Sequence, residues 1–105
     1  MKLEVSEYAH ADVLRAVRFY DSKPGRYGRA FTRDFKLATK RIAANPRSYS
    51  PAEDGIEGLE VREYFIERFE QRVLDVMSDS VVSIVAVVHV SRREGSWRRR
   101  LSSEN

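Results

Sequence analysis

The sequence predicts an α+β domain of order β-α-α-β-β-β: an N-terminal helical hairpin on a small, mainly antiparallel sheet, followed by a basic C-terminal segment. Three observations carry this. Apolar residues recur at helical spacing through the first half. A stretch rich in Pro, Ser, Asp and Gly, from Arg47 to Gly58, ends that pattern. Residues 59–90 then turn strand-like and close on a nearly continuous apolar run.

Each element has a local reason. Lys2 to Tyr8 alternates weakly, with Leu3 and Val5 apolar between Glu4 and Ser6, which predicts a short first strand. From Ala9 to Tyr20 the period becomes helical, set by Val13, Val17 and Tyr20. Lys23-Pro24-Gly25 interrupts it, because proline lacks an amide hydrogen and glycine tolerates left-handed turns. Tyr27, Phe31, Phe35, Ala38 and Ile42 form the apolar stripe of a second helix, with Arg29, Arg33, Lys36 and Lys40 opposite. Asn45-Pro46 stops that helix, since the residue before proline is pushed out of helical geometry. Leu59 to Phe69 and Arg72 to Met77 read as strands, with a turn at Met77 to Ser80. Val81 to Val90 reads as a central strand covered on both faces.

The 105 residues suit one domain over 1–105, and 42% hydrophobic with 33% charged content suits a soluble cytoplasmic protein. With no cysteine there is no disulfide framework, Cys-ligated metal or thiol nucleophile. No apolar run reaches membrane-spanning length. The His, Asp and Glu positions give no trustworthy ligand spacing, so neither metal nor cofactor is expected. Charge falls in blocks. Residues 1–50 hold eleven Lys/Arg against five Asp/Glu, residues 51–80 three against nine, and residues 81–105 five against two. Basic and acidic faces follow, and a basic face can serve nucleic acid or an acidic protein.

The densest positive charge follows the last strand, in V-V-H-V-S-R-R-E-G-S-W-R-R-R (Val87 to Arg100). His89 has the reference pKa of a general acid or base, and equally of a structural histidine at a strand end. Trp97 suits either a core cap or a base-stacking contact helped by the arginines around it.

Taken together, A-D-V-L-R-A-V-R-F-Y (Ala11 to Tyr20), I-A-A-N-P (Ile42 to Pro46), V-R-E-Y (Val61 to Tyr64), R-F-E-Q-R-V-L-D-V (Arg68 to Val76) and the closing His–Arg–turn–aromatic–Arg pattern resemble the ParE/RelE superfamily of type II toxin–antitoxin toxins, often called plasmid stabilisation proteins. The resemblance covers roughly residues 7–100 and implies the same fold order, a bacterial setting and a cognate antitoxin. It implies one of two targets. ParE-like members trap DNA gyrase on cleaved DNA, whereas RelE-like members cut messenger RNA on the ribosome.

Metal-free RNA cleavage needs a base, an acid and cations for the phosphorane charge. By resemblance, Arg72, His89, Arg92 and Arg93 would form such a site. No lysine follows Lys40 and no tyrosine follows Tyr64, so the proton-transfer groups of the RelE-like site are thin. This favours a ParE-like binder of gyrase or a related topoisomerase, with Arg62, Arg72, Arg92, Arg93, Trp97 and Arg98 as target contacts. An mRNA endonuclease is the alternative, and a member that has lost toxicity is a third reading. The chain departs from the family at Asp75, where an aromatic is usual, and at Glu70, where proline is frequent.

Overall fold

A computed structural model describes residues 1–92 and 95–102. Its main elements are β1 (Lys2–Val5), α1 (Glu7–Asp21), α2 (Gly28–Ala44), β2 (Glu60–Ile66), β3 (Gln71–Ser78), β4 (Val81–His89) and a short α3 (Arg99–Ser102). The four strands form one sheet in the order β1-β4-β3-β2. Only the β1–β4 pair is parallel; β4–β3 and β3–β2 are antiparallel. The α+β order read from the sequence is the order found.

Boundaries moved for identifiable reasons. β1 stops at Val5 because the Ser6 hydroxyl accepts the Ala9 amide at 3.1 Å and starts α1 there. The stretch expected as one strand to Phe69 ends at Ile66, and Glu67–Phe69 forms a 3-10 turn. Glu70 closes that turn in the left-handed region, φ 53°, where a proline could not sit.

Helix α2 has no side-chain cap of its own. Its first amide, from Gly28, is instead taken by Asp21 Oδ1 of α1 at 2.9 Å. A β-carbon at residue 28 would sit 2.5 Å from that oxygen, so only glycine lets the carboxylate approach so closely. Asp21→Ala is expected to cost about 1 kcal/mol, the usual loss for a helix N-cap, read as a lower midpoint in urea unfolding.

The two sheet faces carry separate cores. On the helix face, Ala9, Val13, Phe31, Ala38 and Ile42 meet Val73, Val82, Ile84 and Val87. Tyr20 holds this side together. It packs on Phe31 and Phe69 at centroid distances of 5.2 and 4.7 Å, donates to the Phe69 carbonyl and accepts from Gln71 Nε2. On the opposite face, Val61, Leu74, Val85 and Ala86 are covered by Trp97, with Leu101 at the margin. The central position and two-sided cover expected for the last strand are both present.

β1 accompanies β4 only from Val81 to Ile84. Beyond it, side chains satisfy the strand's open edge. Asp12 Oδ2 accepts the Val87 amide at 2.9 Å, and Arg100 Nη1 donates to the Val85 carbonyl at 3.0 Å. Arg100 and Asp12 also join through two hydrogen bonds of 2.7 and 3.0 Å, and Arg15 adds a further contact to Asp12. The C-terminal segment is thereby pinned to α1 and β4, not left as a solvated tail.

Candidate functional site

The face covered by the C-terminal segment holds a compact polar cluster centred on Arg72. This residue sits on β3 and is 3% exposed. Asp54, from the loop before β2, receives its guanidinium in two bonds: Nη2 to Oδ1 at 2.6 Å and Nη1 to Oδ2 at 3.2 Å. Glu63 of β2 accepts from Nε at 2.9 Å. Asp54 Oδ2 also accepts the Trp97 indole N–H at 2.9 Å. One carboxylate thus ties the β3 arginine to the C-terminal tryptophan, a geometry that suits the planar two-donor fork of arginine.

Burial works to raise the Asp54 pKa, but the hydrogen bonds from Arg72 and Trp97 outweigh it and hold the carboxyl below its ordinary range. Burial likewise opposes the charge on Arg72, and the two carboxylates more than compensate. Glu53, Asp54, Glu63 and Arg72 line a cavity of about 230 Å³. With three acidic side chains around one neutralised arginine, it is a poor receptacle for a phosphate.

His89 lies elsewhere. It ends β4 opposite Gln71, whereas Arg72 stands opposite Val88. Opposed residues share a face and successive ones alternate, so Arg72 and His89 point to opposite sides of the sheet. His89 Nδ1 accepts the Ser91 amide at 3.1 Å and lies 2.9 Å from the Ser91 hydroxyl. A ring nitrogen that accepts an amide proton is unprotonated, so the neutral ring carries its hydrogen on Nε2. The histidine holds the strand end to the following turn.

The expected contact rim is redistributed. Trp97, 2% exposed, packs among Val61, Leu74, Val85 and Ala86; it caps a core and presents no ring for stacking. Arg72 is buried beneath it. Arg62 stands opposite Asp75 on the helix side, where it donates to the Tyr49 carbonyl at 2.8 Å and to Glu60. Its side chain is 18% exposed. The structure therefore does not bring Arg62, Arg72 and Trp97 together on one exposed face. The β-strand alternation separates the first two, and apolar burial withdraws the third. Arg92 and Arg98 are exposed, and Arg93 lies outside the described residues. Arg98 and Arg99 border an open groove of about 470 Å³ with Ile56 and Glu57.

Two partnerships were not foreseen from the sequence. Asp54 is one acid among several in a loop, and nothing local marks it as the partner of Arg72. Asp12 did carry a signal. It falls beside Ala9 and Val13 on the inward face of α1, and a carboxylate there calls for a buried cation or amide.

Asp75 departs furthest from ordinary packing. It is 1% exposed on β3, beside a register shift between Leu74 and Asp75, and its Oδ1 has no hydrogen-bond partner among the described residues. Burial pushes its pKa up to about 7; Arg62 pulls the other way and Glu60 adds to the rise.

No protein-family model matches the sequence, and no curated protein matches it either. In three dimensions the chain is similar to a chain of a solved structure described as the chromosomal ParDE TA system from P. aeruginosa. The TM-score is 0.73 at 18% sequence identity, over 86% of this chain and 96% of that one. The two share a fold. Among the described residues, no helix is long and apolar enough to cross a membrane.

Proposed function

We propose that this chain is the toxin of a type II toxin–antitoxin module. On this reading it acts in the cytoplasm by binding DNA gyrase or a related type II topoisomerase, and a cognate antitoxin neutralises it. The fold shared with a ParDE component supports the toxin assignment. The observation that favours binding over RNA cleavage is the Arg72 cluster. A nuclease would need this arginine free for the charge developing on a phosphorane. Here it is spent on Asp54 and Glu63, inside an acidic cavity, with His89 on the other face of the sheet.

Target contact then falls to the exposed arginines around the last turn, Arg92 and Arg98, together with Arg93. Arg92→Ala combined with Arg93→Ala is expected to abolish toxicity on induction without antitoxin, while circular dichroism and antitoxin capture stay unchanged. Retained toxicity would remove these residues from the contact. The reading itself is tested in the same cells by scoring cleaved DNA trapped on gyrase beside transcript integrity. Gyrase-linked breaks with intact transcripts support it. Cut transcripts without such breaks overturn it in favour of the ribosome-dependent endonuclease, for which loss of cleavage in His89→Ala would be the next observation.

A further inference from the structure

The outward face of α2 carries Arg29, Arg33, Lys36 and Lys40, all exposed. None of the four has an ion-pair or hydrogen-bond partner among the described residues. Spacings of four, three and four residues set them in one row, directly opposite the buried Phe31, Ala38 and Ile42. The row extends about 16 Å along the helix axis.

Its composition is unusual for a merely solvated face. Such faces mix signs at positions three and four apart, because opposite charges there attract and like charges repel. Here each neighbouring pair, Arg29–Arg33, Arg33–Lys36 and Lys36–Lys40, is like-charged. The one carboxylate of α2, Asp34, has Ala30, Phe31, Leu37 and Ala38 as its helical neighbours, so it relieves none of them. The helix keeps a repulsive arrangement that one acidic residue would have corrected.

We infer that this ridge is a binding surface for the phosphate backbone of duplex DNA. Four evenly spaced cations on a straight rod match a polyanion whose strand carries a phosphate every 3.4 Å or so of axis, about five over the length of the ridge. A protein partner is the poorer fit, since interface cores are depleted in charge, and Leu37 is the one exposed large apolar residue on α2. Single-stranded RNA is poorer too. Its recognition relies on aromatic platforms, and the aromatics of α2, Phe31 and Phe35, pack into the core. This assignment stands independently of the topoisomerase reading, because the ridge lies on the outer side of the helix layer, whereas Arg98 follows Trp97, which covers the opposite face of the sheet.

The test is fluorescence anisotropy of a labelled 20-base-pair duplex of arbitrary sequence, titrated with the full chain between 50 and 200 mM salt. Binding with a log K against log salt slope of about −3 to −4 is expected for four phosphate contacts. Arg33→Glu is expected to weaken binding at least tenfold and flatten the slope by about one or more, while the thermal midpoint holds or rises. Arg33→Lys, which keeps the charge, is expected to bind within about threefold of the parent. Unchanged duplex binding by Arg33→Glu overturns the inference, as does an equal loss in Arg33→Lys. So does binding of an oligoglutamate or a single-stranded RNA as tight as that of the duplex.

Discussion

The parent chain is expected to lose stability as the pH rises from about 4 to about 7, and Asp75→Asn is expected to flatten that fall. The folded carboxyl titrates near pH 7 because burial disfavours its charge, whereas an unfolded aspartate titrates near 3.9. Between those values the unfolded chain has released a proton that the folded chain retains, so ionisation favours unfolding. The contribution of Asp75 is therefore fully present below about pH 4, declines through the window, and is lost above about pH 7. Three pH units correspond to a difference on the order of 4 kcal/mol between the two ends. Urea unfolding from pH 4.5 to 8 checks this. Staying above pH 4.5 separates Asp75 from Asp54 and Glu60, whose depressed pKa values give the opposite slope at lower pH. A parent profile without that descent, or a variant that retains it, would show that water or rearrangement solvates the carboxylate.

Arg72→Met is expected to destabilise the chain by about 3 kcal/mol or more, the scale for breaking a buried ion pair from one side. The methionine keeps much of the stem's volume, so the loss reports the carboxylates of Asp54 and Glu63 left facing each other, with Glu53 nearby. The same variant has a second readout. The chain has one tryptophan, and its indole nitrogen bonds to Asp54. Loosening the cluster should therefore shift its fluorescence to longer wavelength before global unfolding. Adding Glu63→Gln to Arg72→Met should recover part of the loss. A destabilisation under about 1 kcal/mol would mean that the pocket behaves as a surface pair.

Much of the fold was legible because it rests on periodicity. The α2 stripe from Phe31 to Ile42 and the apolar run of β4 each follow from one spacing rule, and their burial agrees with it. The parallel pairing of β1 with β4 was not legible, since nothing local records which edge a short first strand joins. The candidate site was legible only in composition. Arginines after a strand and a lone tryptophan invite a surface reading. Whether such a tryptophan faces solvent depends on Val61, Leu74 and Val85, brought together from three strands. Arg62 and Arg72 look equivalent along the chain; the β2–β3 register sets Arg62 opposite Asp75, three residues from Arg72 on β3, and strand alternation therefore places the two arginines on opposite faces. Pairwise partners such as Asp54–Arg72 and Asp12–Arg100 are tertiary facts, and residue spacing does not encode them.

The parallel pair also has a mechanical consequence. Lys2 to Val5 lies alongside Val81 to Ile84, and the Ser6 amide continues the line to the Ile84 carbonyl at 2.9 Å. Tension drawn backward through β1 and forward through β4 slides these strands along each other. Their hydrogen bonds are then loaded side by side and must yield together. The Arg100 grip on Asp12 and Val85 fastens the same edge where β1 stops. Force applied through the strand ends thus meets a shear clamp, so a pulling machine must break these bonds together before it peels the sheet from either core.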